Sequence, residues 1–457
     1  MQENIIKISN LLNKRFDPFF YRKEFLTLEN RMQRNRVLVT LMDICEQITD
    51  GTHITPQYTQ EGVKFLSVKD VRENEIFFDK NVKYISTEEH YKIKKRAYPE
   101  SGDILLTKIG ATYGLAATVP DIFEEFSIFV SLALLKPKKD IVLSQYITYF
   151  LNSSLAKKQM DRNIKGVGVP DLHLEDIRCI KIPLIKKDLQ KELIDIMYNA
   201  YNHKKKNEIK IQEYLNSIDD YILKKLGIEL PNKDMKKTFT SNVSSFVGNR
   251  YDPAYNQPYY AELVESFSNK NGFKLCCLSD LISTQTVNTS QYDFINYIDL
   301  GSIDDQLNSI QYKMVEKENI PSRAKMHVAK GDFIFSGLAG SISSIAIIDK
   351  QLDNMVASTG FYVIKSSKEY NNEYLFALFK TKFMQTLLIR HTSGAVMPAI
   401  NAQELKNIFI PLPPLKIQEE IALTVKQIIR NAKSLEIEAN QNLLLAKQEF
   451  ENILLGV

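Results

Sequence analysis

The chain has 457 residues, 44% of them hydrophobic and 25% charged, and a formal net charge of +4 at pH 7. That is material for several hydrophobic cores, and too little positive charge to mark a nucleic-acid partner by itself. Apolar runs reach only strand length, the four cysteines form no CxxC pair and the six histidines are scattered, so no membrane span, disulfide framework or zinc site is expected.

The first 14 residues form an extension without a signal-peptide core, and a cytoplasmic location is expected. A first module follows over 15–186. Its β-type runs are "GVKFLSV" (62–68), "GDILLTKIG" (102–110), "GLAATVPD" (114–121) and "FSIFVSLALLKP" (126–137), each bounded by turn residues. One helix is predicted over 143–160, then a Gly-rich loop ending at Pro170 and a last strand, "IRCIKIPL". A long amphipathic helix is predicted over 187–230, with Leu189, Leu193, Ile196 and Ala200, then Ile211, Leu215, Ile218 and Ile222, on its seam and polar His203 and Asn207 between them. The Ser/Lys/Asn-rich stretch 231–249 reads as a linker.

A second module over 250–413 repeats the order: "NYIDL" (296–300), "GDFIFSGLAG" (331–340), "SSIAIID" (343–349), "GFYVIKSS" (360–367), one helix, and a loop to Pro398. A second long helix over 414–457 carries Ile421, Val425, Ile428, Ala432, Leu435 and Ala439, then Leu443, Ala446, Phe450 and Ile453 after one extra residue. That is a heptad seam with a stutter. Gly227 and Gly456 stand where helix stops belong.

The order repeats because the sequence does. "RNIKGVGVPDL" at Arg162 returns as "RHTSGAVMPAI" at Arg390, an offset of 390 − 162 = 228, and Gln190 returns as Gln418 at the same offset. "RFDP" at Arg15 returns as "RYDP" at Arg250, and "GDILL" at Gly102 as "GDFIF" at Gly331, offsets of 235 and 229. Units this long are duplicated domains, not solenoid repeats. The expected fold is α+β: two globular modules separated by an antiparallel two-helix coiled coil, with an internal pseudo-two-fold repeat. About 40 residues at roughly 1.5 Å each makes a spacer up to about 60 Å long.

Chemistry is missing from the pattern. There is no GxxxxGK[ST], HExxH or GxSxG, no Gly-rich turn between strand and helix, and no Asn/Asp-Pro-Pro-aromatic signature. Residues 1–250 carry 40 Lys+Arg against 33 Asp+Glu, 40 − 33 = +7, whereas 251–457 carry 19 against 22, 19 − 22 = −3. A recogniser built of two unequal readers fits better than a self-contained methyltransferase or nuclease. A structural adaptor whose modules bind proteins is the third reading.

"FIPLPPLKIQEEIA" (409–422) leading into a long helix, with "DGTHITP" (50–56), "FLSVKDV" (65–71) and "GDILLTKIGATYG" (102–114), resembles the specificity subunits of type I restriction-modification systems. The first junction departs from the pattern, with Ile185 and Lys186 where prolines are usual. The resemblance implies that each module reads one half of an asymmetric bipartite site in double-stranded DNA and that the helices fix the gap. It implies two methyltransferase subunits using S-adenosylmethionine and two motor-nuclease subunits using ATP and Mg, with no catalytic residue, metal or cofactor in this chain. A related system with a fused methyltransferase-nuclease partner is the neighbouring option. Candidate DNA contacts are Thr52, His53 and Lys69 in the "DGTH" region, and Lys108, Thr112 and Tyr113 in a turn matched by Ser336 and Ser341. Arg162 and Lys165 lie before the Gly-rich loop, matched by Arg390, His391 and Ser393.

Overall fold

The computed structural model describes residues 18–79, 81–121, 124–164, 168–232, 235–240, 250–268 and 273–456. The Arg15 landmark, Lys165, Gly166 and much of the expected linker lie outside the described residues. The chain forms two compact units. One takes the chain up to Lys205 and again from Ala439 onward; the other is Lys206–Glu438.

In the first unit, Cys45–Asp50, Leu132–Pro137, Ile104–Thr107 and Ala116–Thr118 form an antiparallel sheet in that order. A second sheet runs Phe126–Ile128, Val63–Leu66, Lys83–Ile85, Tyr58–Thr59, its first pair parallel. Val37–Thr40 pairs with Lys181–Leu184 as a ribbon that closes the module. The second unit repeats each piece. Ile345–Ile347, Phe333–Ser336 and Phe361–Ile364 form one sheet, extended by the bridge of Ile282 to Ile364. Lys313–Glu316, Phe294–Ile298, Met355–Ser358 and Ala324–His327 form the other, again with one parallel pair. Lys274–Cys277 and Phe409–Leu412 make the ribbon.

Three expected elements are divided. The apolar run 126–137 is two strands in different sheets, because Leu132 N–H closes a turn on Phe129 O at 2.9 Å. The single helix expected over 143–160 is a pair, Ser144–Leu151 and Ser154–Asn163, broken where the Ser153 side chain accepts from Ala156 N–H. Its repeat is likewise Asn372–Lys380 and Lys382–Arg390, with the Thr381 side chain accepting from Met384 N–H. A hydroxyl that caps a new helix satisfies donors the old one leaves open, worth about 1 kcal/mol each. The last strand of each module is also short; a helix, Leu174–Arg178, precedes Lys181–Leu184 in the first.

The two long helices are Lys187–Leu226 and Leu415–Leu455, each followed by its left-handed glycine, Gly227 at φ 62° and Gly456 at φ 68°. Within the second unit they run antiparallel, with Asn207 Nδ2 donating to Leu435 O at 3.2 Å, Tyr221 Oη to Thr424 Oγ1 at 3.0 Å, and Lys225 Nζ to Glu420 Oε1 at 2.5 Å. Asn207 is 3% exposed, so its bond to an opposing backbone carbonyl satisfies the polar group in the seam. Met197 and Ile429 are buried beside the expected seam positions Ile196 and Ile428, one residue off the strict heptad. Within the first unit, Leu193, Met197 and Ala200 share a core with Leu443, Ala446, Phe450 and Leu454.

Candidate functional site

In both units the turn after the strand following the Gly-Asp pair is tied to the loop that ends at the proline. In the first, Gly110 N–H donates to Pro170 O at 2.9 Å and Leu172 N–H to Lys108 O at 2.9 Å; Lys108 N–H donates to Ser131 O at 3.0 Å. In the second, Ala339 N–H donates to Pro398 O at 2.9 Å, Ile400 N–H to Gly337 O at 2.8 Å and Gly337 N–H to Gly360 O at 3.2 Å. Backbone bonds of this kind survive sequence change, since they need no particular side chain.

A third segment joins the first-unit junction. Val130 N–H donates to Thr52 O at 2.9 Å and Thr52 forms a bridge with Phe129. Gly51 is obligatory there, because a Cβ would lie 2.0 Å from Ile128 O. The Lys69 turn reaches the same hub through Val68 N–H, which donates to Ser131 Oγ at 3.4 Å. The structure therefore brings the segments of Thr52, His53, Lys69, Lys108, Thr112 and Tyr113 to one edge, together with the loop to Pro170.

Their side chains are differently employed. His53, Lys69 and Thr112 are exposed and Thr52 is half-buried, exchanging bonds with Ile54 through its hydroxyl. Tyr113 donates to Asp161 Oδ1 at 2.6 Å under the Lys157 ammonium, and burial and that carboxylate push its pKa up. Lys108 is 6% exposed overall and sits 3.5 Å from Asp50 Oδ2 and 3.8 Å from Asp171 Oδ1.

Asp50 is the centre of this charged cluster. Its Oδ1 accepts from Arg96 Nη2 and lies 3.2 Å from His53 Nε2, and its main-chain O accepts from Arg96 Nε at 3.2 Å. Burial works to raise the Asp50 carboxyl, but Arg96, His53 and Lys108 together hold it below the usual carboxylate range. Neither Asp50 nor Arg96 is on the expected roster. The signals were present: Asp50 opens the "DGTH" motif and Arg96 ends the basic run "KIKKR" at 92–96.

The arginines before the two loops turn inward, which corrects the expectation that they reach out. Arg162, 9% exposed, donates through Nε to Phe20 O at 2.7 Å, stacks 3.7 Å over the Phe20 ring and pairs with Glu29 at 3.1 Å. Burial would raise Glu29, yet Lys181 and Arg162 lower it. Arg390 repeats the device, with Nε donating to Tyr255 O at 3.0 Å and its guanidinium 4.4 Å over the Tyr255 ring. His391 is also inside, 1% exposed, with Nδ1 2.8 Å from Glu404 Oε2. Burial depresses its pKa to about 4 despite the carboxylate. Both arginines lie in the last turn of a helix whose apolar face is the core, and a cation that long is accommodated by stacking on an aromatic ring.

In the second unit Ser336 is fully buried, its hydroxyl 2.9 Å from that of Ser341 and accepting from Leu338 N–H at 3.0 Å; it shapes the turn. Thr107 holds the same place in the first unit, donating to Thr112 O at 2.6 Å. Ser393 is exposed in the hairpin Thr392–Ser393 with Ala399–Ile400, whose tip holds exposed Val396 and Met397. Gly337 stands where the first unit has Lys108, 2.7 Å from a Tyr362 ring atom when a Cβ is added, and Tyr362 Oη donates to Ile400 O at 2.6 Å.

Among the described residues no group of three His, Cys, Asp or Glu could hold a metal ion, and no helix is long and apolar enough to cross a membrane.

Comparison with known proteins gives one consistent family. A family model described as "Type I restriction modification DNA specificity domain" matches twice, over 34–215 and 272–444, well over half of the chain. The type I restriction enzyme EcoBI specificity subunit of Escherichia coli is 26% identical over 165 residues, 35% of this chain and 34% of that protein. The putative type I restriction enzyme MjaX specificity subunit of Methanocaldococcus jannaschii is 24% identical over 429 residues, 91% of each chain. Solved structures that are similar include the HsdS subunit from Thermoanaerobacter tengcongensis, at 14% identity and a TM-score of 0.36 over 93% of this chain and 97% of that one. Another is the type I restriction-modification S subunit from M. genitalium, at 11% identity and a TM-score of 0.43 over 92% and 97%.

Proposed function

Because this chain belongs to the family of type I restriction modification DNA specificity domains and carries that domain twice, we propose that it reads double-stranded DNA at two half-sites, one with each unit. The observation that carries the reading is the repeated junction of turn and loop, tied by the same three backbone bonds in both units but dressed with different side chains. A fixed backbone frame with variable polar residues suits base-edge recognition, which needs donors and acceptors held in place.

The chain acts as a recogniser without catalytic residues of its own. Methyltransferase subunits supply S-adenosylmethionine chemistry and motor-nuclease subunits supply ATP, Mg and cleavage; the modest net charge of +4 leaves part of the phosphate neutralisation to them. The site is asymmetric and bipartite because the two junctions are unequal.

The test is an exchange of residues 15–186 for the corresponding module of a relative, followed by mapping of modified adenines in the assembled complex. One half of the recognised site changes and the other persists. An exchange that alters both halves, or neither, overturns the assignment of one reader to each unit.

A further inference from the structure

We infer that Arg96 reads a guanine in the half-site bound by the first unit, with Asp50 as its positioning residue; this rests on the DNA-reading function proposed above. Arg96 lies just past the helix Thr87–Lys94, with its N–H bonded to Ile93 O at 2.9 Å. One edge of its guanidinium is fully used: Nε donates to Asp50 O at 3.2 Å and Nη2 to Asp50 Oδ1. Nη2 also lies 3.3 Å from His53 Nε2. The Nη1 nitrogen makes no bond among the described residues, and the side chain is 51% exposed. The planar fork is thus clamped along its side edge, and its end edge, Nη1 together with the Nη2 hydrogen that faces the exposed His53 ring, offers two parallel donors once that ring swings aside.

Three features argue for a base rather than a phosphate. First, the hold is rigid. Asp50 ends a strand and is 2% exposed, Gly51 is pressed on Ile128, and Thr52 is bridged to Phe129. Ordering entropy is therefore spent in folding rather than on binding. Second, Asp50 has Lys108 as another cation at 3.5 Å, so Arg96 is not needed to neutralise a buried carboxylate. Third, two parallel N–H groups match the O6 and N7 acceptors of guanine in the major groove, a pairing a lysine cannot reproduce. Among the described residues the cluster is particular to the first unit: Gly337 replaces Lys108, and the matching pairings of Ile48 with Leu135 and of Ile282 with Ile364 put Thr284 where Asp50 stands. The device accordingly distinguishes one half-site from the other.

The experiment compares wild type, Arg96→Ala and Arg96→Lys in the complete complex with methyltransferase subunits, measuring methylation of a library with every base substituted in turn. Both variants lose discrimination at a single G·C position of one half-site, on the order of ten- to a hundredfold, while preferences elsewhere hold. Arg96→Lys keeps the charge and a donor to Asp50, which guards against loss of folding, and retained discrimination in it overturns the inference. So does a uniform fall across all sequences in Arg96→Ala, the mark of a phosphate contact, or a half-site without G·C. If the wild-type complex shows no dependence on the first unit in the module exchange, the DNA-reading function itself falls, whatever Arg96 does.

Discussion

The two junctions share a frame and differ in chemistry. The first unit fills it with Asp50, Lys108, Arg96, His53 and Asp171; the second fills it with Gly337, Tyr362, Ser336 and an exposed apolar hairpin tip. The lengths of the three backbone bonds agree between units to within 0.2 Å (3.0 and 3.2, 2.9 and 2.8, 2.9 and 2.9 Å). What duplication preserved is the main-chain anchor and a hydroxyl at Thr107 and Ser336; what divergence altered is the charge beside it, with Gly337 in place of Lys108. Specificity can change on such a frame without a change of fold.

The comparison breaks most sharply at Lys108. Replacing it with Ala removes a buried stem and the cation shared by Asp50 and Asp171, leaving Asp50 to Arg96 alone, and unfolding measurements should show a loss of about 3 kcal/mol, most of it from the emptied space. A loss below 1 kcal/mol would mean the charged junction is as tolerant as the neutral one. Next come the paired arginines. Arg162→Ala removes a stacked cation, a bond to Phe20 O and a partner of Glu29, and should cost about 3 kcal/mol. Arg390→Ala, whose group stacks on Tyr255 with no hydrogen-bonded carboxylate among the described residues, should cost about 2 kcal/mol. Equal costs would show that Glu29 contributes nothing.

A pH series separates the units further. His391 has its folded pKa depressed to about 4, so it stays neutral where the unfolded residue, near 6.5, takes up a proton. Stability is complete above about pH 6.5 and declines as pH falls toward 4, by at most about 2 kcal/mol between pH 7 and 5. Urea titrations should show this slope flattened in His391→Gln. Asp50, lowered instead, contributes stability lost only at pH below its ordinary carboxylate range, so the two sites fail at different acidities. Smallest of all, Ser393→Ala and Thr112→Ala touch exposed side chains and should move stability by less than about 0.5 kcal/mol, leaving any change in DNA binding readable by itself.

Much of the architecture was legible in residues. The 228 offset at Arg162 and Arg390 located both loops, and Gly227 and Gly456 marked the helix ends, because left-handed backbone selects glycine whatever surrounds it. Ser153 and Thr381 were missed as helix breaks, since a hydroxyl inside an apolar period looks like an ordinary polar position until its bond is seen. Loop placement was readable, but side-chain direction was not. Arg162 and Arg390 turn inward onto Phe20 and Tyr255, ring partners about 140 residues away (162 − 20 = 142; 390 − 255 = 135), and no local pattern reports that. Asp50 and Arg96 are likewise joined by a separation of 46 residues that only the fold closes.

The order in which the chain is made has a consequence for the first unit. Its core needs Leu443, Ala446, Phe450 and Leu454, and Ser154 N–H is satisfied by Glu451 at 2.6 Å. A growing polypeptide that has passed Lys205 must therefore wait for 454 − 205 = 249 further residues before that core can close. At roughly 5–20 residues per second the wait is roughly 10–50 s. During it the apolar faces of Tyr146 and Leu193 stay uncovered, while Lys206–Glu438 is already complete. The unit that begins the chain thus finishes folding last. Premature termination near residue 438 should yield a sound second unit attached to a chaperone-dependent, protease-sensitive first one, detectable by pulse proteolysis of ribosome-released fragments.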